Sequence, residues 1–572
     1  MSPESKTCQN CKQDFTIEPD DFSFYEKIKV PPPTFCSDCR LQRRLAWRND
    51  WHLFKKKDAH TNESIFSIFP EESPVKIYDK EYWNSDAWDP LDYGKEYNFS
   101  KPFFEQFGAL MSEVPLPAHS VLNLVNSQYC TNANDLKNCY FVRGASYVED
   151  SAYIIWDIGS KQCLDSHMTH KCELSYGNVN ISNCYKSFFS VDCESCQEVT
   201  LCKDCIGCNS CIGSIGLRNK SYYIFNEPYS KEEYEKKVIE LNLGSEKSFQ
   251  SLKEKAYKHW LGYPQKYIHG RQNVNVSGDY IYESKNALEC YRVRNTEDSK
   301  FVQNILAGPA KDCYDVSNYG ESVELLYECM VVGSGASDIK FCTQLFPNIK
   351  NLTYCLYCNS SSDLFGCISL RNKQYCIFNK QYIKEEYENL VPKIIEHMRE
   401  TKEYGEFFPS HLSPLPYQAT AAQEFFPLSE SEAKAKNFIW YKPAKQNYTI
   451  TLPSAKIPDI IQSVEKSILN EVIECAHKGM CNEECTGAFR VIDMELDFCK
   501  RVNIPLPRLC PNCRHYERLA LRNTYHLYHR SCMCELPNHD HNRKCPNEFE
   551  TSYASDRPEI IYCEQCYQQE VL

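Results

Sequence analysis

The chain has 572 residues, 42% of them apolar and 25% charged, with a net charge of −13 and 34 cysteines. That length holds about three to five ordinary domains, which excludes wholesale disorder and a small disulfide-stapled scaffold. The acidic balance argues against a protein that coats nucleic acid, and neither an apolar run of ~20 residues nor a secretory signal is visible, so a reducing, cytoplasmic setting is expected, where thiols bind metal or pack.

Two C-x2-C pairs open the chain, Cys8 with Cys11 and Cys36 with Cys39. Zinc takes four thiolate or imidazole ligands in a tetrahedron, and two such knuckles provide them. A strand-like stretch (Phe15, Ile17, Phe22, Phe24) and VPPPTF separate the pairs, and RLQRRLAWRN after Cys39 reads as a helix. Knuckle, hairpin and a second pair opening a helix predict a treble-clef zinc finger over 1–58. Residues 59–118 read as a degenerate second finger and aromatic-rich connector. There Asp58, His60, Asp79 and Tyr82 stand where the C-terminal end of the chain has its last cysteine landmarks. Hard oxygen ligands hold zinc weakly, so Tyr78, Tyr82, Trp83 and Trp88 are expected to supply the core.

The middle is duplicated. Gly213–Glu235 (GSIGLRNKSYYIFNEPYSKEEYE) and Gly366–Glu388 (GCISLRNKQYCIFNKQYIKEEYE) repeat at a fixed offset, predicting two β-repeat copies with capping helices, 119–271 and 272–405. Short apolar segments recur without a 3.6-residue stripe, so short strands rather than helices are expected over 125–215. Interchange of Cys, Ser, Ala and Val suggests small side chains stacked inside a β-solenoid with a coil of about 20 residues. The IFN strand and a helix over Tyr229–Leu241 would cap its end, with Tyr234, Val238 and Leu241 on the packed face. Cys202, Cys205, Cys208 and Cys211, preceded by Cys193 and Cys196, have a spacing resembling an iron–sulfur run. The second copy keeps only Cys355 and Cys358 of that run, which favours buried thiols packing as small apolar groups.

Residues 406–435, around FFPSHLSPLPYQATAAQEFFPLSESEAKAK, read as a linker. The segment 436–525 then repeats the N-terminal landmarks: Phe489, Phe498, Pro505 and Pro507 match Phe15, Phe24, Pro31 and Pro33, and Arg514, Arg518, Arg522 and Asn523 match Arg40, Arg44, Arg48 and Asn49. Its expected ligands are Cys481, Cys485, Cys510 and Cys513, with Cys475 or His477 as competitors. Residues 526–572 form a last Cys-rich finger. Cys563 and Cys566 are its firmest ligands, and Cys532 with Cys545 or Cys534 complete the set. The expected fold class is therefore mainly β with small α+β zinc modules: treble clefs at both termini around a duplicated β-solenoid-like middle.

The segments VPPPTFCSDCRLQRRLAWRN, YWNSDAWDPLDYGKEYNFSKPFFEQF, the two LRNK-x-Y-x-IFN blocks and IPLPRLCPNCRHYERLALRN resemble uncharacterised treble-clef or zinc-ribbon proteins of candidate-phylum bacteria, over nearly the whole chain. The resemblance implies zinc binding and no established activity. Some of those proteins carry a CaiB/BaiF (CoA-transferase) label, which the residues do not support: no α/β alternation with Gly-rich turns and no nucleophilic Asp in such a context is present.

Three functions follow from these features. A zinc-binding structural scaffold or protein-interaction protein, with about three structural Zn2+ sites, a protein partner, no membrane contact and no catalysis, uses all of them. The alternative is a nucleic-acid- or ribosome-associated protein. Arg40, Arg44 and Arg48, and Arg514, Arg518 and Arg522, each fall on one helix face, where they could reach phosphates, with Lys55, Lys56 and Lys57 beside them and Trp47, Trp51 and Tyr525 to stack on bases. The third is an enzyme using His52 or His526 as acid or base, but no HExxH, GxSxG, phosphate-binding loop or GxGxxG stands in a supporting context.

Overall fold

The computed structural model describes residues 2–442, 448–539, 541 and 543–571. In the first β-rich unit, left-handed backbone recurs at every third residue without a break from Asn123 to Phe225. Parallel pairing joins residues twelve apart: Gln128 with Tyr140, Arg143 with Ile155, Lys161 with Glu173, Tyr185 with Gln197 and Asn209 with Ser221. Each twelve-residue stagger is thus four short sides separated by left-handed corners, not the longer coil expected from the sequence. Asn, Asp and Gly tolerate that conformation, and they crowd the corners. Corner amides also stack from one rung to the next: Asn123 Nδ2 donates to Asp135 Oδ1 at 2.9 Å and Asn138 Nδ2 to Asp150 Oδ1 at 2.8 Å. At Tyr129, Phe141 and Trp156 the ladder holds the same conformation against a cost of roughly 1–2 kcal/mol per residue.

The residue after a corner turns inward. All nineteen cysteines between Cys130 and Cys376 follow a left-handed residue, and all are buried. Their thiols donate to carbonyls two residues back and on the next rung, as Cys139 does to Lys137 (3.4 Å) and Val148 (3.3 Å) and Cys358 to Leu356 (3.6 Å) and Cys367 (3.4 Å). Serine fills the same place, with Ser151 Oγ donating to Glu149 O at 2.7 Å. Cys and Ser suit these positions because both are small and carry a donor for an otherwise lone carbonyl.

The second unit follows the same plan with some sides lengthened to four residues, at 304–308, 308–312, 318–322, 331–335 and 344–348. Its stagger is accordingly fourteen residues at Thr296/Ala310 and thirteen at Ala310/Val323, Glu324/Ser337 and Ser337/Lys350. It returns to twelve at Lys350/Ser362 and Ser362/Gln374. The lengthened sides between these stretches and the earlier twelve-residue pairing at Lys285/Glu297 shift the two copies out of phase, and the sequence match is strong only at their ends. The matched blocks terminate the ladders. Gly213 and Gly366 (both φ +65°) leave room for the rings of Phe225 and Phe378, which a Cβ would meet at 2.5 Å. Asn226 and Asn379 pair their side-chain amides with the backbone of Ile215 and Ile368, as a further strand would. The helices Lys231–Leu241 and Lys384–Glu400 follow, each burying one tyrosine, Tyr234 or Tyr387. The first is capped by a reciprocal Ser230–Glu233 box.

The terminal modules dock crosswise. An outward row on the second unit, Tyr314, Tyr327, Phe341, Tyr354, Phe365 and Phe378, packs with N-terminal Phe24, Tyr25, Phe103 and Phe104 in one core; Phe24 stacks on Tyr314 at 3.9 Å. The corresponding row on the first unit, Tyr153, Leu164, Tyr176 and Phe188, packs with C-terminal Leu496, Phe498 and Ile504. Each module therefore covers the β-unit remote from it in sequence. Residues 406–435 are not a free linker: Phe407, Phe408, Tyr417 and Ala422 are buried. Gln42 Nε2 donates to Tyr417 Oη (2.7 Å) and Ala421 N to Arg48 O (2.8 Å), so this segment straps the Ser37–Leu45 helix. The chain is mostly β, with cysteine clusters at both termini, and among the described residues no helix is long and apolar enough to cross a membrane.

Candidate metal centres

Three groups of four thiols converge, each with all sulfurs within 4.8 Å of one another: Cys8, Cys11, Cys36 and Cys39; Cys475, Cys485, Cys510 and Cys513; and Cys532, Cys545, Cys563 and Cys566. Zn–S bonds of ~2.3 Å put the edge of a tetrahedron at about 3.8 Å. The sulfurs lie at that spacing: 3.7 Å for Cys11–Cys36, 3.8 Å for Cys475–Cys513, 3.9 Å for Cys510–Cys485 and 3.9 Å for Cys545–Cys563. One hydrogen bond is common to all three. The amide of the third cysteine donates to the sulfur of the first, Cys36 to Cys8 (3.3 Å), Cys510 to Cys475 (3.3 Å) and Cys563 to Cys532 (3.2 Å). Such donors favour thiolate. Burial opposes ionisation of Cys8, but the N–H groups of Cys36, Cys11 and Asn10 outweigh it and hold its pKa at about 6. Burial likewise opposes, and Asn547 and the Cys566 backbone favour, ionisation of Cys563, held at about 7. Cys36 and Cys475 are instead pushed up, first by the hydrogen bonds of their thiols with Cys39 and Cys510, and Cys566 is pushed up first by burial. A few ångströms from a first thiolate, a second needs a cation.

The second group departs from the sequence expectation. Cys475, not Cys481, completes the set with Cys485, Cys510 and Cys513. Strand register explains the exchange. Lys6 pairs with Phe15 and Thr7 with Asp14 just before Cys8, and Ile473 pairs with Phe489 and Glu474 with Ala488 just before Cys475. The knuckle thus carries nine residues between its cysteines where the N-terminal one has two. Cys481 sits on that expanded loop, 3.7 Å from Cys513, in a second group with His477 and Glu483. A further group, Cys534, His539, His541 and Cys566, adjoins the third cluster; sequence reasoning weighed Cys534 only as a substitute and overlooked the two histidines.

In the N-terminal second finger Asp58 follows strand Phe54–Lys57 as Cys532 follows Tyr528–Ser531. Asp58 accepts from His60 N (3.0 Å) and Thr61 Oγ1 (2.9 Å), and Asp79 caps the Lys80–Asn84 helix through Glu81 N (2.9 Å). Tyr82 lies flat on His60 at 3.7 Å. Asp58, His60 and Asp79 do not converge, and ring stacking stands where thiolates would.

The arginine faces do not present themselves to phosphates. Arg40, Arg44 and Arg48 are 2%, 0% and 7% exposed, and Arg514 and Arg518 6% and 5%. Arg40 Nε and Arg44 Nη1 both meet Asp315 at 2.9 Å, and Arg43 and Arg44 also meet Glu328. On the other side Arg514 and Arg518 meet Asp165 at 2.5 and 3.2 Å, and Arg514 also meets Glu495. Arg48 pairs with Asp50, and Arg522 with Glu424. The structure places these six residues otherwise than on a phosphate-facing surface: Arg40, Arg44, Arg514 and Arg518 fasten a module to a β-unit, Arg48 pairs within its own module, and half-buried Arg522 meets Glu424 of the 406–435 segment. The stacking residues are committed too. Trp47 is buried against Phe408, Trp51 stacks on His515 and Tyr525 on Phe425. Lys56 is held by three carbonyls, of Pro70, Glu71 and Ser73. His52 pairs with Glu484 (2.6 Å) and His526 with Asp38 (3.4 Å), a reciprocal contact between the two modules.

No three sulfurs of Cys193–Cys211 form such a group; these thiols donate to backbone carbonyls. No protein-family model, curated protein or solved structure matches the chain.

Proposed function

We propose that the protein is a non-catalytic, zinc-held scaffold in which two treble-clef modules clamp a pair of β-solenoids and leave an edge free for a protein partner. The observation that carries this reading is the common geometry of the three four-cysteine groups, with tetrahedral sulfur spacing and the same amide on the first sulfur. Four thiolates without an open position suit structural Zn2+. The treble-clef reading is supported by the order knuckle, hairpin, helix at each end, and the solenoid reading by the regular parallel stagger. The partner surface that fits is the strand Val121–Val125, which pairs on one side only and exposes Leu122 (56%) and Val125 (60%). An uncovered apolar edge accepts a partner strand.

Elemental analysis of the purified chain tests the metal: zinc filling all three four-thiolate sites, without iron, is expected. Iron in place of zinc, or a thermal unfolding midpoint indifferent to zinc removal, sinks the reading. A photocrosslinker at Leu122 is expected to give protein adducts in the source cell, while one at exposed Ile239 on the capping helix gives none. Equal yields refute the edge as the docking surface.

A further inference from the structure

The third knuckle is the most expanded of the three, with twelve residues between Cys532 and Cys545. A loop that only closes a zinc knuckle needs two. This one carries Cys534, His539 and His541, and their ligand atoms converge with Cys566 Sγ within 4.8 Å of one another. We propose that these four residues bind a further Zn2+, sharing the Cys566 thiolate with the neighbouring four-cysteine site.

The distances have the right scale. A tetrahedral ion with bonds of ~2.3 Å to sulfur and ~2.0 Å to nitrogen separates the two ligand atoms by about 3.5 Å. Cys534 Sγ lies 3.1 Å from His539 Nδ1, and Cys566 Sγ lies 3.4 Å from His541 Nε2. The histidines are also oriented as ligands. His541 Nδ1 is 2.7 Å from the Arg543 carbonyl, which can only accept, so the proton sits on Nδ1 and the Nε2 lone pair faces the group. His539 is 1% exposed at its side chain, turns Nδ1 to Cys534 and places Nε2 3.7 Å from the Glu570 carboxylate. Metal-binding histidines are commonly fixed by an acceptor on the far nitrogen, as the Arg543 carbonyl fixes His541.

Charge argues in the same direction. Cys532, Cys534, Cys545, Cys563 and Cys566 are all buried. A buried Cys534 sulfur can serve as a thiolate only with a cation beside it, because isolated charge is costly at such a site. A sulfur has lone pairs enough to bridge two ions.

The inference rests on the third four-cysteine site holding an ion of its own, since Cys566 serves both. Zinc per chain in the full-length protein is compared with that of His539→Asn/His541→Asn, which keeps polar side chains on the loop. Four zincs in the unsubstituted chain and three in the variant are expected. Equal zinc in the two overturns the further site, and leaves the three-site reading standing if that count is three. Fewer than three zincs in the unsubstituted chain counts against the three-site reading itself. Should the variant lose more than one ion because its finger misfolds, the unsubstituted Co2+-loaded protein decides. Imidazole ligation moves part of the ligand-field absorption to shorter wavelength than four thiolates give. A spectrum of four-thiolate sites alone overturns the proposal.

Discussion

The N-terminal and C-terminal modules dock through the same contact but differ in how much of each fold a metal can hold. In both, the first and second arginines of the finger helix converge on one buried aspartate of the opposite β-unit, Asp315 or Asp165. Beyond that contact they diverge. The N-terminal module has one plain knuckle and a second finger in which Asp58, His60 and Tyr82 replace the ligands. The C-terminal module has two four-cysteine groups, both on expanded knuckles with extra ligands. Docking by a buried carboxylate is thus separable from the number of cysteine groups beside it, since residues 54–118 hold their hairpin with stacked rings and no thiol cluster.

Metal removal should break the comparison most strongly. Structural zinc supplies roughly 10–16 kcal/mol of folding free energy per site in small fingers. Chelation at neutral pH is expected to open the C-terminal module at both clusters while residues 54–118 stay folded, because their hairpin and stacked rings need no ion. Limited proteolysis with mass spectrometry reads this directly. Cuts within 54–118 arriving with or before those in 475–566 would show that the N-terminal second finger depends on metal after all.

The next effect tests the sameness of the docking contact. Asp315→Ala and Asp165→Ala each remove a carboxylate shared by two buried arginines, and breaking a buried ion pair from one side costs about 3–5 kcal/mol. Denaturant unfolding of the two variants should give similar losses. A difference larger than about 2 kcal/mol would mean that Glu328, which also meets Arg43 and Arg44, compensates on one side as Glu495 does not on the other.

How much of this could be read beforehand depends on whether the signal is local. Cys8, Cys11, Cys36 and Cys39 are legible because both pairs are plain knuckles. Cys475 ranks only as a competitor in the sequence because Cys481 and Cys485 imitate a knuckle, whereas its place is set by the register of Ile473–Glu474 on Ala488–Phe489. A second signal was present and unused. The cysteines from Cys130 to Cys211 are all separated by multiples of three residues, the period of the left-handed corners, and a rhythm of 9 to 12 is only its coarse form. The crosswise docking had no local signal. Neither the arginine face nor the aromatic rows name a partner, and Arg40 meets Asp315 across 275 residues.

A smaller effect concerns the C-terminal contact alone. His269 is partly desolvated, which lowers its pKa, but the Asp279 carboxylate 2.9 Å from Nδ1 outweighs this and holds it at about 9, above the ordinary 6.5. Asp279 also accepts from Asn523 and Ser552 of the C-terminal module. A histidine raised on folding stabilises fully below its unfolded value, and the stabilisation is lost as pH rises through its folded value. The chain should therefore lose up to about 3 kcal/mol between pH 6.5 and 9. His269→Gln should flatten that slope in stability measured against pH; an unchanged slope would place the titration elsewhere.

The smallest effect separates the two populations of thiols. Burial pushes Cys139, Cys290 and Cys329 up to about 12, so at neutral pH they are neutral, hydrogen-bonded to carbonyls and inert to alkylation, since the thiolate is the nucleophile. Chelation should expose the terminal thiols to iodoacetamide and leave those of 130–376 unlabelled, because no ion holds the corners that bury them. Cys139→Ala removes one sulfur and two weak hydrogen bonds, for which about 1 kcal/mol is expected, with zinc content unchanged. Labelling of Cys193–Cys211 on chelation alone would instead join those thiols to the terminal population, and the three-residue period of the corners would have to be read as a device for holding metal rather than for packing.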